Sequence, residues 1–177
     1  VLFSLLRRPT VSIAFTDEQI ESLIQEPKPL PSDYRAHLAL REKRGHREQN
    51  YTIQGQDENE FQIILRQSSS NPLNFSVILA VIVPGTNRVF LLRRYNSRTH
   101  GHSNHLEKTG FAFQCHIHQA TARYQEAGSD EESFAESTDR FSELGGALDC
   151  MLKDCGFILP EGDQLGLFEE RNQYDDR

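Results

Sequence analysis

The chain has 177 residues and a net charge of -7, with 37% hydrophobic and 25% charged residues. That size suits one α+β-scale domain with a continuous core, and the composition excludes a collagenous, disordered or disulfide-framework protein. No apolar run approaches the ~20 residues of a membrane-spanning helix, so no membrane partner is expected, and three Cys without a disulfide framework suit a reducing compartment, so the expected location is the cytoplasm. The charge is uneven. Residues 35–124 carry 12 Lys and Arg against 6 Asp and Glu, together with all seven His, whereas residues 125–177 carry 4 against 15. A basic, His-rich middle beside an acidic end suits either an anion-facing surface or two halves that attract each other.

In chain order, VLFSLLRRPTVSIA (1–14) has its Arg pair after the apolar run, the reverse of a secretory signal, and reads as a loose N-terminal arm. Thr16 and Gln19 form a capping box for a helix whose stripe is Ile20, Leu23 and Ile24, and Pro27, Pro29 and Pro31 stop it. Ala36–Lys43 and Tyr51–Gln54 are weak strand candidates, split by a solvated basic segment, Arg41–Arg47. Phe61, Ile63 and Leu65 alternate with polar neighbours. Phe75, Val77, Leu79, Val81 and Val83 share one face of a strand that is also mostly apolar on the other, as a central strand should be. The turn Pro84–Asn87 leads into a returning strand, Arg88–Tyr95.

A further strand is expected over Phe111–His118, with Phe111, Phe113, Cys115 and Ile117 inward and His116 and His118 on the polar side. Asp130–Glu132 and Asp139 read as helix N-terminal charges. Phe141, Leu144, Leu148, Met151, Leu152 and Cys155 have helical spacing, and Gly156 supplies the C-cap. The three cysteines, Cys115, Cys150 and Cys155, read as unpaired apolar fillers. The expectation is an α+β domain over 15–158: an antiparallel meander of about five strands between an N-terminal and a C-terminal helix packed on the sheet. An acidic, flexible tail follows at 159–177.

The chemistry-bearing feature is RYNSRTHGHSNHLEKTGFAFQCHIH (94–118), which holds five of the seven His. His116 and His118, two apart on a strand, share a face with their Cβ atoms roughly 7 Å apart. One could deprotonate a 2′-hydroxyl and the other protonate a leaving oxygen, giving metal-independent phosphodiester cleavage. Arg94 would be the phosphate contact and Tyr95 a further hydrogen-bonding group. Arg93, His105, Arg41, Lys43, Arg44 and Arg47 would contact substrate. Only one of Arg93 and Arg94 can point to the His face. The competing readings are a hydrogen-bonded polar sheet face and a metal site. The metal set would be His100, His102, His105, His116 and His118, with Glu107 nearby. No cofactor is otherwise indicated. A non-catalytic binding protein, holding an acidic partner or another copy's tail, is the rival from a different class.

The pieces FTDEQIESLI, FQIILRQS, RYN, HSNHLE, HIH and DCGF stand in an order that resembles an uncharacterised prokaryotic and phage protein family, over residues 15–158. A weaker similarity is to TumE-family toxins of toxin–antitoxin systems, in which Arg94-Tyr95-Asn96 and His116-Ile117-His118 match. Asn96 stands where that pattern is acidic, and the His pair lies further from Tyr95. The toxin resemblance implies an RNA substrate, a ribonuclease activity and an antitoxin-like protein partner; a homodimer is the other assembly expected.

Overall fold

A computed structural model describes residues 14–163. The N-terminal arm and most of the acidic tail therefore lie outside the described residues. Helix α1 (Asp17–Gln25) begins at the expected capping box: Thr16 Oγ1 accepts from the Gln19 amide, and Gln19 Oε1 accepts from the Thr16 amide at 2.9 Å. The chain then runs through β1 (Lys28–Pro29), the short α2 (Tyr34–His37), β2 (Arg41–Lys43), β3 (His46–Gln54), β4 (Glu60–Ser68), β5 (Phe75–Ile82) and β6 (Val89–Asn96). Next come β7 (His102–Asn104), β8 (Thr109–Phe111), β9 (His116–Gln119), α3 (Ala122–Glu126), β10 (Phe134–Ser137), α4 (Leu144–Asp154) and β11 (Phe157–Ile158).

The architecture is α+β, around a seven-stranded antiparallel sheet in the order β10-β9-β6-β5-β4-β3-β2. That is more strands than the expected five or so. The basic segment Arg41–Arg47 is not a loop between strands. It is a hairpin, β2–β3, turning at Gly45, whose φ of 77° is the left-handed conformation glycine adopts without strain. The expected strand over Phe111–His118 is interrupted: Phe113 has φ 53°, is 71% exposed, and separates β8 from β9. No helix starts at Asp130. Instead Glu131 Oε1 accepts from the Leu91 amide and Glu132 is buried. The chain stays attached as far as Asp163, which pairs with Arg35 at 2.8 Å. The cysteines are free and buried.

The two faces of the sheet differ. One contributes Ile63, Val77, Leu79 and Tyr95 to the main core, together with Ile20, Leu23 and Ile24 of α1 and Ala147, Leu148, Met151 and Leu152 of α4. The other carries only a small apolar group, Ile64, Ile78 and Ala80 with Val89 and Leu91, and is otherwise polar. A bulge in β6 opposite Leu79/Ala80 inserts Leu92, so that Leu92 and the next residue, Arg93, both take the main-core side and Arg94 and Asn96 take the other.

The ends of α1 and α4 meet at a junction organised by Lys28. Its ammonium is fully buried and donates to the carbonyls of Leu23, Ile24, Glu26 and Cys155 at 2.8, 3.0, 2.8 and 3.1 Å. It also lies 4.2 Å from the centroid of the Phe61 ring. One side chain thus satisfies carbonyls that the two helix ends leave without partners. Gly156 is confined beside it: φ is 69°, and a Cβ there would stand 2.6 Å from the Glu26 carbonyl oxygen.

A candidate metal centre on the polar sheet face

Register builds the site. Antiparallel pairing places Asn96 opposite His116 and Arg94 opposite His118, then Ser76 opposite Asn96, and Arg66 opposite Ser76. Because directly opposed residues share a face, a polar row His116–Asn96–Ser76–Arg66 crosses four strands. Ile117, between the two histidines, packs on the main core, and this alternation fixes both imidazoles on the opposite side. Both imidazoles are buried.

His102 joins them from a separate hairpin, β7–β8, which folds over this face. Ring centroids of His102 lie 4.7 Å from His118 and 5.6 Å from His116. One nitrogen from each of His102, His116 and His118 lies within 4.8 Å of the others. The hairpin is tied down by Asn104, whose amide pairs with Ala135 like a strand residue: Nδ2 donates to the Ala135 carbonyl at 2.8 Å, and Oδ1 accepts from its amide at 2.9 Å. Glu107 adds a second anchor, accepting from the Tyr124 hydroxyl at 2.7 Å and pairing with Arg123 at 2.7 Å.

The hydrogen bonds assign every tautomer. A carbonyl only accepts, so His116 Nδ1–H donates to Gln114 at 2.8 Å and His118 Nδ1–H donates to Glu132 at 2.8 Å. Each therefore presents the lone pair of Nε2. His102 Nε2 lies 2.9 Å from Asn104 Oδ1, which the Ala135 amide identifies as the oxygen, so His102 Nε2 donates and Nδ1 carries the lone pair. Asn96 Nδ2 donates toward His116 Nε2 at 3.4 Å and His118 Nε2 at 3.2 Å, satisfying both lone pairs.

Burial holds both imidazoles neutral. His116 is pulled down to about 4, chiefly by desolvation and also by the neighbouring His100, His102 and Arg94. His118 is pulled lower still, by desolvation and then by Arg94. Neutral imidazoles with Nδ1–H fixed on carbonyls and Nε2 facing inward have the arrangement of metal-ligating histidines. Around a tetrahedral ion with bonds of about 2.0–2.1 Å, ligand nitrogens stand roughly 3.4 Å apart, so nitrogens that lie within 4.8 Å of one another would have to close by no more than about 1.4 Å to hold one.

The remaining sequence candidates divide. Arg94 is on the site face, 3.4 Å from Glu132. His100 lines the same cavity, its ring centroid 5.2 Å from that of His116. Arg93 and Tyr95 lie on the other face. Tyr95 is buried, with its hydroxyl donating to Asp154 at 3.0 Å, and Arg93 donates to Gln119 at 2.8 Å and lies 3.8 Å from Asp154. Their separation from the His pair follows from strand alternation: Arg94 and Asn96 take the site face, so Arg93 and Tyr95 cannot. His105 packs edge-on to Tyr124 and reaches Ser129, not the cluster. Arg41, Lys43, Arg44 and Arg47 sit at the far edge of the sheet; Lys43 binds Glu48, and Arg47 binds Gln67 on the helix side. Asn96 and Asn104 were missed as site residues, although the RYN and HSN triplets contain them.

A cavity of about 500 Å³ opens beside the cluster, lined among others by His102, His118, Arg94, Asn96, Ser76 and Arg66. No family model, curated protein or solved structure matches the chain. Among the described residues no helix is long and apolar enough to cross a membrane.

Replacing Asn104 by Ala should leave His102 free to change tautomer and rotate. Zinc affinity is expected to fall about 10- to 100-fold, as for other residues that orient a ligand through its second nitrogen. Isothermal titration of the folded variant checks this; unchanged affinity would remove His102 from the site.

Proposed function

We propose that the chain is a mononuclear metal-dependent hydrolase of the zinc class, with His102 Nδ1, His116 Nε2 and His118 Nε2 as its ligands. The convergence of three imidazoles, each with one ring nitrogen fixed on an oxygen acceptor and the other left for a ligand, carries this reading. Three protein nitrogens would leave a fourth position for water, and an ion held there would supply the acidification that makes such a water a nucleophile. Asn96 contacts both lone pairs, so its amide would have to turn or withdraw for an ion to be held. A turn would direct Oδ1 toward the ion or its water. Asn and Asp differ little in shape, which is how an amide can stand where the toxin-like pattern is acidic.

The acid–base reading of His116 and His118 has less support. A general acid must be protonated near neutrality, and both rings are buried, neutral, and committed through Nδ1 to carbonyls.

The test is metal uptake. Purified protein stripped with chelator is expected to bind one zinc ion per chain. The cobalt form should show the intense visible bands of a four- or five-coordinate ion, and these should change when azide is added to the open position. No uptake at micromolar zinc, or the weak bands of a six-coordinate ion, would reject the proposal.

A further inference from the structure

We propose that the cavity beside the three histidines is a subsite for the phosphoryl group of a phosphate ester, with Arg66 as its principal cation. This substrate class rests on the metal-centre reading for its chemistry, but its binding evidence is separate.

Three donors on the cavity wall lack partners among the described residues. Arg66 is exposed and makes no ion pair within 4 Å: Glu48, opposite it in register, feels its charge but is engaged by Lys43 and by His46 at 3.2 Å. Ser76 Oγ and Arg94 Nε are buried and have no hydrogen-bond partner. Buried donors left without acceptors are costly, and a tetrahedral oxyanion, which only accepts, satisfies several together. Arg66, Ser76 and Asn96 lie on adjacent strands in one row that ends at His116, so an anion in the cavity lies alongside the open metal position. In the hydrolysis implied, a P–O bond forms from water and the ester P–O bond breaks. The alcohol leaves with one of the water's protons, and the phosphate keeps the new oxygen.

Inorganic phosphate, adenosine 5′-monophosphate and a 5′-phosphorylated RNA oligonucleotide should be titrated into metal-free and zinc-loaded protein, wild type and Arg66→Gln. The expected result is saturable phosphate binding that Arg66→Gln weakens about tenfold while zinc stoichiometry stays at one. Tighter binding by either organic arm supports an ester and tells a free nucleotide from a strand end. Ser76→Ala, a smaller change, should weaken phosphate binding in the same direction. Zinc uptake with no phosphate binding, or with binding indifferent to Arg66→Gln, overturns the subsite alone. Failure of zinc uptake overturns the metal reading, while binding to the metal-free protein still decides the subsite.

Discussion

His118→Ala is expected to lower zinc affinity on the order of a thousandfold, because it removes one of the three proposed protein ligands. His118 is the strongest choice for this test. It is buried, its Nδ1–H is held by Glu132, and its ring lies within 5 Å of both other ligand rings by centroid. His118→Gln, which keeps bulk and a donor, should restore packing but not affinity. Zinc titration after a thermal melt separates the two effects: a variant that melts near wild type yet takes up no zinc has lost a ligand. His105→Ala is the matching control, since His105 packs edge-on to Tyr124, away from the cluster, and should leave zinc binding unchanged. Wild-type affinity in a folded His118→Ala protein would exclude the His102–His116–His118 centre.

Lys28→Met should destabilise the fold by about 3–5 kcal/mol, a large part of the ~5–15 kcal/mol that holds an ordinary domain together. The methionine fills the volume but donates nothing, so four buried carbonyls at the α1–α4 junction lose their partner. Urea unfolding measures the loss; a change below 1 kcal/mol would mean that water replaces the ammonium there.

The same residue gives a pH signature. Burial pulls the Lys28 ammonium from 10.5 to about 8, against the charges of Cys155 and Glu26 that face it. Between about pH 8 and 10.5 the unfolded chain therefore binds more protons at this position than the folded one, and its contribution to stability rises with pH. Below about pH 8 both states are protonated and the burial cost applies in full. Cys155, raised to about 11 by burial, works in the opposite direction over the neighbouring range. The quantity to follow is thus wild-type stability minus that of Lys28→Met. It should grow from pH 8 to 10.5, and a flat or falling difference would refute the assignment.

What could be read from the sequence depended on how deeply each element is buried. Strands β4, β5 and β6 lie in the middle of the sheet, so their alternation is strong, and both faces of β5 were correctly assigned. Strand β3 carries a run of half-exposed polar residues, His46–Gln49, and its pattern only becomes apolar at Ile53. A strand whose neighbour is the exposed β2 has little to bury, so its first half gave no signal. Strand β10 and helix α3 are four and five residues long, too short for a period to repeat enough to be recognised. The break at Phe113 was hidden because a phenylalanine continues an apolar alternation while its backbone turns left-handed.

The site was half legible for the same reason. His116 and His118 are linked by local alternation, and their common face follows from two residues of spacing. His102 reaches them through a hairpin whose placement depends on Asn104 meeting Ala135, a contact spanning 31 residues. Nothing in a window around His102 announces that pairing. The row from His116 to Arg66 depends on the register of three strand pairs, which only the assembled sheet provides.

The Asn104–Ala135 contact also bears on solubility. Strand β10 is the last in its sheet, and a free outer strand invites another chain to add to it. Asn104 occupies both backbone groups of Ala135, so recruitment of a foreign strand is blocked midway along that border. The amide that stops the sheet from growing also dictates which nitrogen of His102 faces inward. Damage at this one position would therefore release the His102 hairpin and make the molecule adhesive at once, so that loss of the histidine cluster and onset of aggregation would share a cause.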